Sequence, residues 1–556
     1  GAFIWGLMFL WRPIPHQPTA EAQRWYQLGT NALREGTYFK ASQALQQATA
    51  ADKDFALAHA RLAEAWTELD YGDKAKDETI LAGSLVRDNA SLSPLDALYL
   101  QAITDTISRN FANAIKGYSE IVNLVPNTDK AYAYFDLGRA YEKNEDLENA
   151  IKNYDKATQI DPQNAAALVR LGILYWRKQD VPRAETIFQR AAELYRVSSN
   201  FEGVAEVLFQ HGVVYDNADK VAEARAKFQE SLQIAQATNN QYQQVRSELR
   251  LSSVLNTAGE TAAAQQHANA AIQLAQANGL ENLTTNGLIE LGSSYFLRGD
   301  YQEAEKYYKQ ALEYAQRNKG RRNEARASLS LGSLKMTQGD STEAVTYLEK
   351  ALRFYQDGGY RQETAQALLL FGRANRQKGD YHAALRAFEQ QLATAEQEQN
   401  IPRQALAQEG LGTVLFRRER YVEALTHFEN SYSLFSKSDN QLAIANSMIN
   451  RAGMLLALGR YQEAQGILAE ASEKAAKVGN KQLQVSITLQ QAKAALSQLN
   501  FSEAKTKSSG ALDLAIASQF SGSIIEGKQI LGLAMTLSSK KRDGINLCKE
   551  ALELAE

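Results

Sequence analysis

The chain has 556 residues, far more than one compact core needs, so it either divides into domains or repeats a small unit. Its 61 Lys plus Arg nearly balance 64 Asp plus Glu, so no global field draws it to nucleic acid or to an anionic membrane, and no nucleic-acid partner is expected. The single cysteine, Cys548, excludes an internal disulfide framework and a thiolate zinc site within one chain.

Positions 1 to 11, GAFIWGLMFLW, are unbroken apolar sequence carrying Trp5 and Trp11, followed by Arg12 and a proline-rich run to Pro18. Such a run is too short to cross a bilayer, which takes about 20 residues. Because the chain opens with Gly rather than Met, the run is expected to be the end of a longer transmembrane segment, with Trp5 and Trp11 as candidate membrane anchors. A signal-peptide remnant and an apolar helix docked on the following segment are the alternatives. Residues 1–21 are accordingly read as an apolar stub plus linker. Beyond them proline is scarce, with none between Pro182 and Pro402, and Ala, Leu, Gln, Glu and Lys dominate. That composition predicts an all-α chain of nearly continuous helix broken by turns.

A fixed period organises the rest. The segment AYAYFDLGRAYEKNEDLENAIKNYDKATQIDP, positions 131 to 162, places Tyr134, Leu137, Gly138, Tyr141, Ala150, Tyr154, Ala157 and Pro162 at intervals that suit two antiparallel helices. Helices approach closely only where a small residue of one faces a large residue of the other. With Gly138 as anchor, equivalent places hold Gly29, Ala63, Ala102, Gly172, Gly212, Ser252, Gly292, Gly332, Gly372, Gly412, Ala452, Ala492 and Gly532, all small. Twelve residues after each anchor comes a second small column, alanine from Ala41 to Ala504 and then Gly544. Glycines such as Gly259, Gly299 and Gly379 lie between the columns, where a left-handed residue is needed to end the first helix. The pattern resembles the tetratricopeptide repeat at every signature place. That resemblance implies an α-solenoid of about fourteen helix pairs wound into a right-handed superhelix, a scaffold that holds proteins or peptides and not an enzyme.

The anchors advance by 34, 39, 36 and 34 residues and then, from Gly172 onward, always by 40. Pro126 and Pro162 close early repeats, whereas Arg196, Gln236 and Gln276 stand at that place later, so the second helix is expected to run on. Residues 22–164 are read as irregular short repeats and 165–556 as regular 40-residue repeats. The last segment, GINLCKEALELAE from Gly544, has no polar capping helix after it, so continuation of the chain or self-association at that end is expected.

Chemistry-bearing motifs are missing. The six histidines stand apart, without the spacing of a zinc protease, and a lone histidine on a repeat helix is more often a packing residue. Gly410-Leu411-Gly412 lacks the third glycine and the preceding strand of a dinucleotide fingerprint, and phosphate-loop and nucleophile-elbow patterns are absent. No catalytic residue, cofactor or metal is therefore expected. The basic runs Lys319, Arg321, Arg322, Arg326 and Lys540, Lys541, Arg542 suit either an acidic contact or simple solvation, and neither has interleaved aromatics for stacking bases.

The repeat resemblance implies that residues three before, one after, and four and five after each anchor line a concave surface. Those places supply Phe135, Arg139, Trp176, Arg177, Phe209, Phe296, Met336, Arg373, Arg376, Phe416 and Arg417 as a candidate peptide groove. An apolar floor with scattered arginines suits an amphipathic helix or an extended acidic segment, although the same apolar residues also serve simply to pack helices. The Lys and Asn pair of chaperone-tail clamps is lacking. Finally, REGTYFKASQALQQA at 34 to 48, DFALAHARLAEAW at 54 to 66 and SPLDALYLQAI at 93 to 103 resemble the segment that follows the membrane span in bacterial membrane-anchored serine/threonine kinases and related one-component regulators. This second resemblance implies a membrane-anchored signalling protein with extracytoplasmic repeats; the alternative is a soluble, cytoplasmic adaptor or regulatory repeat protein for complex assembly, without a membrane link.

Overall fold

The computed structural model describes residues 16–554 apart from 90–91, 219, 438–439, 519 and 539. Among these residues there are twenty-eight α-helices, from Ala20–Arg34 to Lys541–Glu553, and no strand. They pair in chain order into fourteen antiparallel hairpins, each of a first and a second helix. The chain divides into two compact units, the first comprising 1–334 with 357–359 and the second 335–356 with 360–556.

In most hairpins a small residue of the first helix admits a large residue of the second. A Cβ built on Gly138 would lie 2.7 Å from the ring of Tyr154, one on Gly212 2.7 Å from Phe228, and one on Gly292 2.6 Å from Tyr308. The partner stands sixteen places after the anchor each time, and Tyr154 and Phe228 have no exposed surface at all. Burying such a ring contributes roughly 2 to 3 kcal/mol, which is the main local reason the hairpin forms.

Side-chain caps fix where the later helices begin. Asn200, Asn400 and Asn480 each accept a hydrogen bond from the backbone N–H three residues on, at 2.9, 3.1 and 2.9 Å. At every described place seven residues after an anchor, the first helix ends in a left-handed residue. Glycine takes that place at Gly259, Gly299, Gly339, Gly379 and Gly459, but Asp70, Arg109, Glu145, Gln179, Glu419 and Leu499 adopt it too. A side chain there costs about 1 kcal/mol, which the surrounding hairpin offsets.

The longer step is shared between the two helices. The second helix grows from 14 residues in Leu147–Ile160 to 17 in Val181–Val197, and the first from 13 in Ala165–Arg177 to 17 in Phe201–Asn217. Losing proline frees the end of the second helix, but the first helix must lengthen as well for the antiparallel pair to stay matched.

The expected membrane anchorage, with extracytoplasmic repeats, is corrected. Among the described residues no helix is long and apolar enough to cross a membrane, because none exceeds 18 residues and their apolar stripes are backed by polar residues. The candidate anchors Trp5 and Trp11 lie outside the described residues.

Candidate binding surface

In the first unit, the places expected to form an open groove are filled by the protein itself. Phe135 is 2% exposed, with its ring 5.6 Å from that of Tyr154 and the Arg139 guanidinium over it. Arg139 is buried and bonded to Glu64, to Asp136 at 2.8 Å and to Glu68 at 3.5 Å. Glu68 in turn receives Lys143 at 2.9 Å and Arg170 at 3.1 Å. Phe209 is also buried, 5.6 Å from the Phe228 ring and covered by Arg246 at 3.9 Å. Trp176 is half-buried, edge-on to Tyr215 at 5.4 Å, while Arg177 is exposed. Phe296 leans on Tyr301, the first residue of its second helix, at 5.7 Å.

These charges set opposing pH behaviour. Burial disfavours the Glu68 carboxylate, but Lys143, Arg139 and Arg170 outweigh it and bring the pKa down to about 2. Its contribution is present above the ordinary carboxylate range and is lost as pH falls toward 2. Burial does the reverse to Glu290, raising it to about 7 against the opposing pull of Arg250 and Arg326, with Asp216 adding to the rise. A folded-state pKa above the unfolded value means that stability is lost as pH rises from about 4.5 through 7. Glu290→Gln is therefore expected to be near neutral at about pH 4 and stabilising by about 1 kcal/mol at about pH 8, after discounting for partial solvation. Hydrogen exchange across 281–297 at the two pH values measures this, and equal effects at both would count against it.

Several charged residues at this surface lie at places not singled out from the sequence. Glu206 and Arg246 occupy one place in consecutive repeats and form an ion pair, and Arg250 and Glu290 interact at another. The signal was available as opposite charges one 40-residue step apart, because the repeat stacks equivalent places beside each other. Two members of the basic run are also taken: Arg322 pairs with Asp70, and Arg326 donates to Asn286 at 2.7 Å.

The second unit differs. Met336, Arg376 and Phe416, all half-buried, are the residues four after three successive anchors, and Arg373 and Arg417 stand exposed beside them. Phe416 rests on Tyr421 at 5.8 Å. Burial, then Arg417 and Arg373, depress the Arg376 pKa from the ordinary guanidinium value, so the three cations are close enough to repel. None of the three guanidinium groups has a hydrogen-bond or carboxylate partner among the described residues. The carboxylate of this stripe, Glu409, accepts from Asn450 at 3.1 Å, while the Thr413 hydroxyl donates to the Glu409 backbone carbonyl.

The repeat itself has known relatives. A Tetratricopeptide repeat family matches residues 163–237, 281–357, 324–397 and 403–477, and a TPR repeat family matches 138–179. The chain belongs to the tetratricopeptide repeat family. Over 99 residues it is 31% identical to the human mitochondrial import receptor subunit TOM70, a match spanning 18% of this chain and 16% of TOM70. Over 106 residues it is 24% identical to the photosystem I assembly protein Ycf3 of Acaryochloris marina, spanning 18% of this chain and 64% of that protein. Among solved structures, yeast Tom70 is similar at a TM-score of 0.43 and 17% identity, covering 86% of this chain and 96% of that one. The family matches begin at residue 138, so the kinase-like resemblance of positions 34 to 103 rests on those sequence segments alone. As a tetratricopeptide array the chain is a scaffold for protein–protein interaction.

Proposed function

We propose that the protein is an adaptor that holds an acidic segment of a partner protein against the second unit, with Arg373, Arg376 and Arg417 receiving its carboxylates and Met336 and Phe416 its apolar side chains. The observation that carries this reading is the cluster of three guanidinium groups with no counter-ion beside two half-buried apolar side chains. Unneutralised arginines that repel one another gain most from an incoming carboxylate, and guanidinium forks hold carboxylates at two points. The names of the curated relatives, an import receptor subunit and an assembly protein, belong to proteins that engage others, which favours an adaptor over a catalyst.

The test is fluorescence anisotropy with a synthetic amphipathic helix carrying glutamate on one face and leucine on the other. Arg373→Glu with Arg376→Glu is expected to weaken capture more than tenfold, about 1.4 kcal/mol or more. A lysine-faced peptide should not bind. Equal capture by wild type and the double variant would remove the reading.

A further inference from the structure

Within the first unit, the turns of the earliest hairpins reach residues far along the chain. In the turn of the first hairpin, the Glu35 carbonyl accepts from the Tyr195 hydroxyl at 2.6 Å, the Glu35 carboxylate accepts from Asn200 at 3.2 Å, and Phe39 stacks on Tyr242 at 5.0 Å and 9°. In the turn of the second, the Asp70 carbonyl accepts from Asn282 at 2.7 Å and its carboxylate pairs with Arg322. Asp73 accepts from the Arg321 backbone N–H at 3.1 Å, and Lys74 meets Glu281 at 3.2 Å. The third turn follows, with Arg109 donating to the Gly359 carbonyl at 2.9 Å. The contacts advance in step, each later turn meeting a later helix.

The physical character of this contact differs from that of the hairpin stack. Its centre is a small apolar cluster, in which Leu69 and Tyr71 are 4% and 5% exposed against Tyr242, Val245, Leu249, Leu280 and Leu283. Its rim is polar and open: Lys74 and Glu281 are 47% and 30% exposed at their side chains, Arg321 and Asp73 72% and 41%. Exposed pairs of this kind contribute under about 1 kcal/mol each and are screened by salt. Beneath the turns lies a cavity of about 320 Å³ lined by Phe39, Glu68, Val169, Arg170, Gln210 and Arg246, so packing is incomplete where the first helices face the turns.

We infer that the turns of the first two hairpins form a latch that closes over the first helices beginning at Ala165, Phe201, Gln241 and Glu281. It releases as one unit before any repeat unfolds. The hairpins themselves are held by buried side chains packed along the whole length of two helices, whereas the latch is held by a small apolar cluster within a charged rim, so the two separate in energy. The latch lies wholly in the first unit, so its failure leaves the arginine site of the second unit untouched.

The full chain carrying Asp70→Lys and Asp73→Lys sets lysines against Arg322 and Arg321. Hydrogen exchange of the turns at 35–39 and 69–74 is expected to accelerate more than tenfold, while helices Phe201–Asn217 and Gln241–Thr257 keep wild-type protection. A lock is also available, because a Cβ on Gly36 would lie 3.3 Å from that of Ala166, near the separation of disulfide-linked residues. Gly36→Cys with Ala166→Cys in a Cys548→Ser background, oxidised, should return the turns of the charge-reversed chain to slow exchange. If the charge-reversed chain fails to fold by circular dichroism, wild type at 50 and 500 mM salt is read instead, with the same selective acceleration expected at high salt. Turns that exchange only in concert with those helices, or that ignore both charge and salt, would overturn the latch.

Discussion

Arg139→Ala is expected to destabilise the first unit by about 3 kcal/mol, the low end of the cost of breaking a buried ion pair. The side chain is 7% exposed and sits between Glu64, Glu68 and Asp136, two of which are also 7% exposed or less. Removing it leaves carboxylates chosen for a guanidinium inside a site that water barely reaches. The loss is held to the low end because Glu64 keeps Arg61 at 2.7 Å and Glu68 keeps Lys143 and Arg170. Urea unfolding followed by exchange in helix Lys130–Lys143 measures it locally, since a long array need not unfold in one step. The exposed Arg177→Ala is the control and should stay within about 0.5 kcal/mol. A similar small effect for Arg139 would mean that the network contributes nothing net.

Gly372→Val should cost the second unit about 3 kcal/mol, the upper range for overpacking. Phe388 is 1% exposed and presses on glycine from two sides: a Cβ on Gly372 would lie 2.7 Å from its ring, and one on Gly410 2.5 Å. A ring caught between two helix backbones has no free rotamer to escape into, so added methyl groups must move a helix. Adding Phe388→Leu should recover more than about 1 kcal/mol of the loss, a coupling that a double-mutant cycle reads directly. The array already contains the smaller solution, since leucine stands sixteen places after Gly29 and after Gly332. Strictly additive effects of the two changes would contradict the direct contact.

The hairpins were legible from single residues because their cause is local. Gly138 and Tyr154 sit sixteen places apart in the sequence and touch in the fold, and the same interval recurs along the chain. Groove residues were legible as places but not as environments. Arg139 and Arg373 occupy the same place after their anchors, yet one is buried among carboxylates and the other exposed without a partner. What decides between them is Glu64 and Glu68, two hairpins earlier, which no reading of one repeat contains. The latch lies further out of reach, because Tyr195 to Glu35 spans 160 residues and Arg322 to Asp70 spans 252. Those contacts follow from how many small rotations between neighbours accumulate, and that sum is not written at any single position. The membrane expectation drew on the apolar start and on resemblance, and the described helices carry no span to support it.

The uniform step from Gly172 onward has an evolutionary corollary. Two breakpoints one period apart fall in the same backbone state, as Gly299, Gly339 and Gly379 do with φ of +82°, +85° and +89°. Unequal exchange between such points inserts or deletes a whole hairpin without leaving a strained junction. The coding sequence is thus free to change the reach of the scaffold in units of one hairpin while every remaining anchor still meets its own partner.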